Sequence, residues 1–152
     1  MKSLANAVDF DEILSRVRAL DTSPARQWGT MTSGEMLCHL ADAYECALGR
    51  RTAMPVDNLL QRTLVKFVAL RLPMQWPHGI PTRPEFDPQR AGTKPSTFEA
   101  DRERVARLVQ EVAGLSADAT AGRHPIFGPL SIAEWKRRGY LHADHHLRQF
   151  SA

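Results

Sequence analysis

The residues best suited to chemistry are the histidines near the end of the chain. Residues 131–152, SIAEWKRRGYLHADHHLRQFSA, hold three of the six histidines of the protein. His142 and His146 are four apart, and on an α-helix that spacing puts both on one face, one turn apart. Imidazoles so placed can bind one metal ion together. The alternative is a basic amphipathic helix that merely carries histidines.

This stretch has a clear helix start. Ser131 and Glu134 fit a capping box, and Leu130 and Trp135 occupy the positions of a hydrophobic staple. At about 100° per residue, one side of the helix combines apolar residues with both histidines. That side holds Ile132, Trp135, Gly139, His142, Ala143, His146, Gln149 and Phe150. The basic run at residues 136–138 falls beside or behind it, and we expect it to be a solvated flank.

The helical phase also separates two adjacent histidines. His146 lies about 40° from His142, towards the apolar face, whereas His145 falls about 60° the other way. There its neighbours include Arg138 and Arg148, cations that repel a divalent ion. We therefore expect His146 to be the ligand and His145 to flank it.

A third histidine lies on a second predicted helix. Thr32 and Glu35 fit another capping box, and the helix is expected to run to about Gly49. Its apolar arc contains Met36, Leu37, Leu40, Ala43, Tyr44 and Ala47. His39 lies at the edge of this arc, where a lone histidine is more often a packing residue. If the two helices are neighbours, His39 can meet the terminal pair.

The remaining periodic stretches predict further helices. Val8 to Leu20 has helical spacing that ends at residues 22–24, and Pro55 to Leu72 has a helical pattern of buried or nearly buried apolar residues. A fourth helix should begin at residue 96 or 97, with Ser96 and Glu99 as its capping box. No strand is convincing. The fold class predicted for residues 1–152, as one domain, is all-α: a four-helix bundle with long loops and one extra helical segment.

Two loops could take part in a site. Residues 73–95 carry six of the ten prolines, and loops of this length are often lids or binding loops. Trp76, His78 and Phe86 could line or cover a pocket there, although a proline-stiffened connector explains the same composition. In the second loop, His124 before Pro125 could hydrogen-bond the turn or reach the metal, and the turn is the favoured role.

Composition excludes several classes of function. The chain has 152 residues, a net charge of +3 and 43% hydrophobic residues. No apolar run approaches the roughly twenty residues of a membrane span, and the first residues lack a secretory signal, so we expect a cytoplasmic protein. Cys38 and Cys46, eight apart on one helix, cannot form a disulfide with each other and should be core residues. The mild charge disfavours nucleic-acid binding.

Three segments, GEMLCHLADAY, HPIFGPLSIAEW and YLHADHHLRQF, resemble the DinB superfamily, in particular its branch with a terminal HHLRQF signature. The resemblance spans nearly the whole chain. It implies a four-helix bundle that holds a divalent metal through one histidine of the second helix and a pair on the last. Here those residues are His39, His142 and His146. Several DinB relatives are transferases or isomerases that use a low-molecular-weight thiol such as bacillithiol or mycothiol, and others have no assigned reaction.

We therefore expect a metal-dependent enzyme acting on a small molecule by thiol transfer or hydrolysis, with zinc, nickel, iron or manganese as the ion. Candidates for contacting the ligands or a substrate are Gln149, His145, Trp135 and His124. The terminal helix lacks the glutamate of a zinc-protease HExxH motif, which argues against a protease. A non-catalytic helical metal- or ligand-binding module is the alternative function. A homodimer is compatible with the sequence, whereas nucleic-acid and membrane partners are not expected.

Overall fold

The computed structural model of the protein describes residues 1–22, 25–56 and 58–152, and this part is mostly helical. Its α-helices are α1 (Ala7–Ala19), α2 (Ser33–Ala47), α3 (Lys66–Arg71), α4 (Phe98–Ala113) and α5 (Ile132–Gln149). The helix break predicted at Ser23 and Pro24 lies outside the described residues. The prediction of a mainly α-helical chain is confirmed.

The capping boxes predicted for α2 and α5 are both present. The Thr32 hydroxyl accepts the Glu35 amide at 3.2 Å, and the Glu35 carboxylate accepts the Thr32 amide at 2.8 Å. Ser131 and Glu134 make the same pair of bonds at 3.2 and 2.9 Å. Each box satisfies amides that have no partner inside the helix. The two helices that carry the histidines therefore begin at residues fixed by the local sequence.

The predicted capping box of α4 is wrong. The cap is Thr97, whose hydroxyl accepts the Ala100 amide at 3.3 Å. The Asp101 carboxylate instead binds the Ser96 amide at 2.8 Å and its hydroxyl at 2.9 Å. Because Asp101 holds Ser96 outside the helix, the next residue takes over as cap.

A small antiparallel hairpin, which was not predicted, precedes α5. Strand β1 (Arg123–His124) pairs with β2 (Gly128–Pro129), with His124 opposite Gly128. Gly128 has a φ of +73°, a left-handed conformation that glycine adopts without steric cost. Strands of two residues are too short to show the alternation by which a strand is predicted.

The third helical segment is shorter and more exposed than predicted. Within the described residues it begins at residue 59, continues as a π-helix over Gln61–Val65, and ends as α3. Four side chains predicted to be buried or nearly so are more than half exposed: Leu59, Leu60, Leu64 and Phe67. Leu70 is buried. Periodicity identified a shared face correctly, but this short segment has α5 as its main helical neighbour and leaves much of that face uncovered.

The other four helices surround the hydrophobic core. Helix α2 packs most extensively on α4, and α5 contacts α1, α2 and α4. Near the middle of α5, the Gly139 carbonyl accepts the Tyr44 hydroxyl at 3.0 Å. A Cβ at Gly139 would lie 2.9 Å from the Leu4 side chain and 3.2 Å from the Tyr44 ring. The absence of a side chain at Gly139 therefore lets α2 and α5 approach closely.

The basic run of α5 is not a solvated flank, so that expectation is wrong. Arg137 is buried and donates hydrogen bonds to the backbone carbonyls of Leu70 and Lys2. Arg138 is half-buried, with its guanidinium 6.0 Å from the centre of the Trp135 ring. Long aliphatic stems let arginine pack against apolar surface, which helical phase alone does not indicate.

Two expectations drawn from composition can be compared with the structure. Cys38 and Cys46 are buried and not bonded to each other, as expected. Among the described residues, the helices lack the length and apolar character that crossing a membrane requires.

Candidate metal centre

Three histidines meet between α2 and α5. Potential ligand atoms of His39, His142 and His146 all lie within 4.8 Å of one another, and the Nε2 atoms of His39 and His142 are 2.9 Å apart. All three side chains are buried. In the described part of the chain, no other group of three or more His, Cys, Asp or Glu side chains forms such a cluster. The residues could hold a metal ion.

The outer nitrogen of His39 is fixed by the proline-rich loop. His39 Nδ1 lies 2.8 Å from the backbone carbonyl of Phe86. A carbonyl can only accept, so Nδ1 carries the proton and donates it. The lone pair of the neutral ring is then on Nε2, which faces the other histidines and is available to a metal.

His146 is oriented in the same way through Gln149. The Gln149 amide nitrogen donates to the Trp28 carbonyl at 2.7 Å, so its oxygen faces His146 Nδ1 and accepts from it at 2.9 Å. The proton again sits on Nδ1, which leaves Nε2 as a ligand atom. Gly29 makes room for this contact, since a Cβ there would lie 2.6 Å from the Gln149 amide nitrogen.

His142 differs from the other two. Its Nδ1 is buried and has no hydrogen-bond partner in the described structure. Its Nε2 points to His39, so a metal bound at Nε2 would leave a protonated Nδ1 without an acceptor. Three converging imidazoles, two of them oriented by acceptors, fit a metal ion. With that ion bound, Nδ1 of His142 would be a donor without an acceptor.

Burial keeps these imidazoles neutral, as metal ligands must be. Burial, with a smaller effect from the positive charge of Arg138, lowers the pKa of His39 from 6.5 to about 4. For His142 and His146 burial again dominates, and each pKa is well below 6.5. Both residues lie in the last two turns of α5, where the helix dipole favours a cation.

Aromatic rings cover the triad. His78 stacks on Trp28 with ring centres 3.8 Å apart, and both lie within 6 Å of the His145 ring. Trp76 lies 6.0 Å from the His142 ring. Surface depressions of about 270 and 190 Å³ occur elsewhere, beside the hairpin and beside α3, and neither is lined by the triad. The centre is thus closed from solvent by residues of two loops.

The second half of the proline-rich loop is attached firmly to α2. The fully buried Asp42 carboxylate accepts the Thr93 amide at 2.9 Å and its hydroxyl at 2.6 Å, and forms an ion pair with Arg51 at 3.0 Å. Within the loop, the Ala91 and Gly92 amides donate to the backbone carbonyls of residues 84 and 87. The short 3₁₀ turn Pro84–Phe86 is therefore held where its last carbonyl meets His39.

The remaining candidates from the sequence occupy different places. His145 lies outside the triad, among the covering rings and not in a purely cationic setting. Gln149 contacts a triad member, as described above. Trp135 is a core residue that donates to the Gly122 carbonyl at 3.1 Å. His124 Nδ1 accepts the amides of Ile126 and Phe127 at 3.2 and 3.0 Å, so its role is in the hairpin turn.

Sequence reasoning missed three features of the centre. Trp28 has no role in the sequence analysis, although a tryptophan next to a glycine in a short polar loop is itself a signal. The Phe86 carbonyl could not be found, because backbone acceptors leave no trace in residue types. Arg138 was assigned to solvent from helical phase alone.

No curated protein and no solved structure matches this chain. The model of a family described as "Protein of unknown function (DUF1569)" matches residues 2–152. That match covers almost the entire sequence, including the three histidines and both loops that surround them. The chain therefore belongs to the DUF1569 family.

Proposed function

We propose that the protein is a metal-dependent enzyme acting on a small molecule, with His39, His142 and His146 as the ligands of one divalent ion. The observation that carries the proposal is the convergence of three buried, neutral imidazoles, two with the outer nitrogen held by a dedicated acceptor. Three protein ligands leave a coordination position for water or substrate, the pattern of catalytic sites. Zinc, nickel, iron and manganese all suit such a donor set.

We also propose that the four long helices form a DinB-like four-helix bundle. Support comes from the packing of α1, α2, α4 and α5 on one another, with α3 to one side. The placement of the ligands supports it too, since one lies on the second helix and two on the last. This is the arrangement that the resemblance implies.

The residues around the centre have separable tasks in this proposal. Phe86 and Gln149 hold two ligand rings in the correct tautomer. Trp28, Trp76 and His78 exclude water from the centre, which strengthens electrostatic interactions within it. When bound, a divalent ion would supply Lewis acidity that polarises a substrate group or acidifies a bound water or thiol.

The proposed reaction is thiol transfer or hydrolysis. The chain's own cysteines do not supply the nucleophile, because burial raises the pKa of Cys38 to about 12 and also raises that of Cys46. A thiol whose pKa is raised stays protonated at neutral pH, and the protonated form is a poor nucleophile. The thiol would therefore come from a low-molecular-weight cosubstrate.

The test begins with elemental analysis of protein purified without chelator and of protein reconstituted with each of the four ions. We expect close to one ion per chain. Loaded protein is then assayed with thiol cosubstrates and electrophiles such as epoxides and alkyl halides, and with ester substrates. Turnover that is lost with chelator and restored by the ion supports the enzyme, and a protein that binds no ion contradicts it.

A second candidate is a non-catalytic metal- or ligand-binding module. It is favoured by one observation, the cover of aromatic rings over a triad whose members are each less than 10% exposed. Stoichiometric metal without turnover of any thiol or ester substrate would support this alternative. Turnover that depends on the ion would exclude it.

A further inference from the structure

Arg138 lies one helical turn before His142 and has no hydrogen-bond or ion-pair partner among the described residues. Its Nε is buried and finds no acceptor in that part of the chain. Its guanidinium group lies 6.0 Å from the centre of the Trp135 ring. The adjacent Arg137, by contrast, donates to two backbone carbonyls. A buried N–H donor with no acceptor carries a desolvation cost.

The charge of Arg138 acts on the metal centre. Its positive charge is among the causes that lower the pKa of His39, His142 and His146. Burial lowers the pKa of Arg138 itself to about 10, so it stays a cation at neutral pH. A divalent ion on the triad would add two further positive charges to the same region.

Within the described residues, the carboxylates whose charge acts on His39 are already paired. Asp42 and Asp87 are the carboxylates whose charge reaches His39. Asp42 is taken by Arg51 and Thr93, and Asp87 pairs with Arg90 at 3.5 Å. A centre with excess positive charge and few free acceptors favours an anion from outside the chain.

When a metal occupies Nε2 of His142, Nδ1 of that ring carries the proton, and a second donor then lies one helical turn away. His142 follows Arg138 by four residues, and side chains at that spacing share a face of the helix. Its buried Nδ1 also has no acceptor. Two such donors on one face match the two oxygens of a carboxylate, an anion that arginine binds in a bidentate manner.

We propose that Arg138 binds the carboxylate of a small organic acid while the other end of that molecule reaches the triad. This proposal rests on the function proposed above and narrows its substrate class to carboxylate-bearing molecules, a carboxylated thiol among them. Arg138 is then a specificity residue. The cost of leaving it without a protein partner is offset only when the ligand arrives.

The test compares two thiols of equal length that differ in charge. Protein loaded with Co²⁺, whose absorption spectrum reports thiolate ligation, is titrated with 3-mercaptopropionate and with 3-mercapto-1-propanol. We expect the wild type to bind the acid at least about tenfold more tightly than the alcohol. Arg138→Met should remove that preference, so that the ratio of the two affinities falls to about one, and Arg138→Lys should keep part of it. Arg137→Met is the matched control and should keep the full preference.

An unchanged preference in Arg138→Met, or no preference in the wild type, overturns the proposal. A melting temperature of Arg138→Met at or above that of the wild type supports it, since methionine keeps an apolar stem beside Trp135 and no hydrogen bond or ion pair within the described residues is lost. A large drop in both Arg138→Met and Arg138→Gln would assign the side chain a structural role and overturn it.

Failure of the proposed function gives a different result. If the protein binds no Co²⁺, the metal centre is wrong, and propionate binding to the metal-free protein is measured by tryptophan fluorescence. Quenching that depends on Arg138 then supports the anion site alone. Equal quenching in wild type and Arg138→Met, or none in either, overturns the anion site as well.

Discussion

His145 and His146 are adjacent in sequence but lie in different surroundings. His146 converges with His39 and His142, whereas His145 points to the covering rings of Trp28 and His78. Helical phase predicted this separation, because His146 lies about 40° from His142 towards the apolar face and His145 about 60° the other way. What phase could not predict is the neighbourhood of His145, which depends on loops folded over α5.

The three triad histidines should matter for metal binding and His145 should not. We expect His39→Ala, His142→Ala and His146→Ala each to lower metal affinity by about tenfold or more, and His145→Ala to retain most of it. Metal stoichiometry and competition with a chelator, on identically purified proteins, measure this. Circular dichroism of each variant controls for folding. Full metal in His146→Ala with loss in His145→Ala would contradict the assignment.

His124 should support stability and not metal binding. Its Nδ1 accepts two backbone amides of the hairpin turn, so His124→Ala leaves both without their acceptor. We expect the free energy of unfolding to fall by about 1–3 kcal/mol with metal content unchanged. Urea denaturation and elemental analysis of the same sample check this. A His124→Ala variant of normal stability that contains no metal would assign His124 to metal binding instead.

The same histidine predicts a pH dependence of stability. Burial lowers the pKa of folded His124 from 6.5 to about 2, so below pH 6.5 the unfolded chain takes up a proton that the folded chain excludes. The neutral His124 ring contributes fully to the free energy of unfolding above pH 6.5, and this contribution is lost as pH falls toward 2. At pH 5 the loss is about 2 kcal/mol. His124→Asn keeps an acceptor but cannot titrate, and it should flatten the urea-midpoint profile between pH 7.5 and 5 by that amount. An unchanged profile would contradict the prediction.

At the scale of elements, the sequence predicted best where one local signal decides the outcome. The capping boxes of α2 and α5 need residues three apart and nothing else, and both are present. The prediction of Ser96 as the cap of α4 was wrong because the Asp101 carboxylate accepts hydrogen bonds from the Ser96 amide and hydroxyl. The burial predicted for the third helical segment was wrong for another reason. Its periodic leucines share a face that the rest of the fold leaves largely uncovered. Burial depends on neighbours that no local pattern contains.

The proline-rich loop was predicted as one lid, and the structure divides it in two. Residues 84–93 are held by Asp42 and provide the His39 acceptor, whereas residues 73–83 are mostly exposed and carry Trp76 and His78. We expect a Gly/Ser linker of equal length at residues 74–82 to keep metal content. Thiol binding to the Co²⁺ protein, followed by stopped flow, should become faster because the rings of Trp76 and His78 are gone.

The control replaces residues 86–93 in the same way. This variant should lose both metal affinity and stability, since a flexible linker no longer holds the residue-86 carbonyl at His39 or the residue-93 amide at the buried Asp42, and the Thr93 side chain is gone. If the replacement at residues 74–82 also releases the metal, that half of the loop is part of the centre and the lid interpretation is wrong.

At the scale of the whole molecule, the centre joins parts of the chain that are far apart in sequence. Its ligands come from α2 and α5, and its supporting groups from the loops around Trp28 and Phe86. The sequence could predict which residues meet, because they lie on regular helices. It could not predict the loop contacts, which depend on backbone atoms and on the path of irregular segments.

Metal binding should therefore stabilise the whole fold. An ion present at about a hundred times its dissociation constant adds about 2.7 kcal/mol, which for a chain of this size raises the melting temperature by about 5–10 °C. Differential scanning fluorimetry with Zn²⁺ and with EDTA measures the difference. His142→Ala should lose the shift and His145→Ala should keep it. An equal shift in both variants would place the bound ion elsewhere.

The division of the proline-rich loop at Pro84 also has an evolutionary consequence. An insertion or deletion before Pro84 alters only the covering segment that carries Trp76 and His78. One between residues 84 and 93 would move the Phe86 carbonyl, which orients the His39 ring. Selection for the centre would then tolerate changes of length in the first half and reject them in the second. Across members of the family, we expect gaps to accumulate at residues 73–83 and to be rare from Pro84 to Thr93.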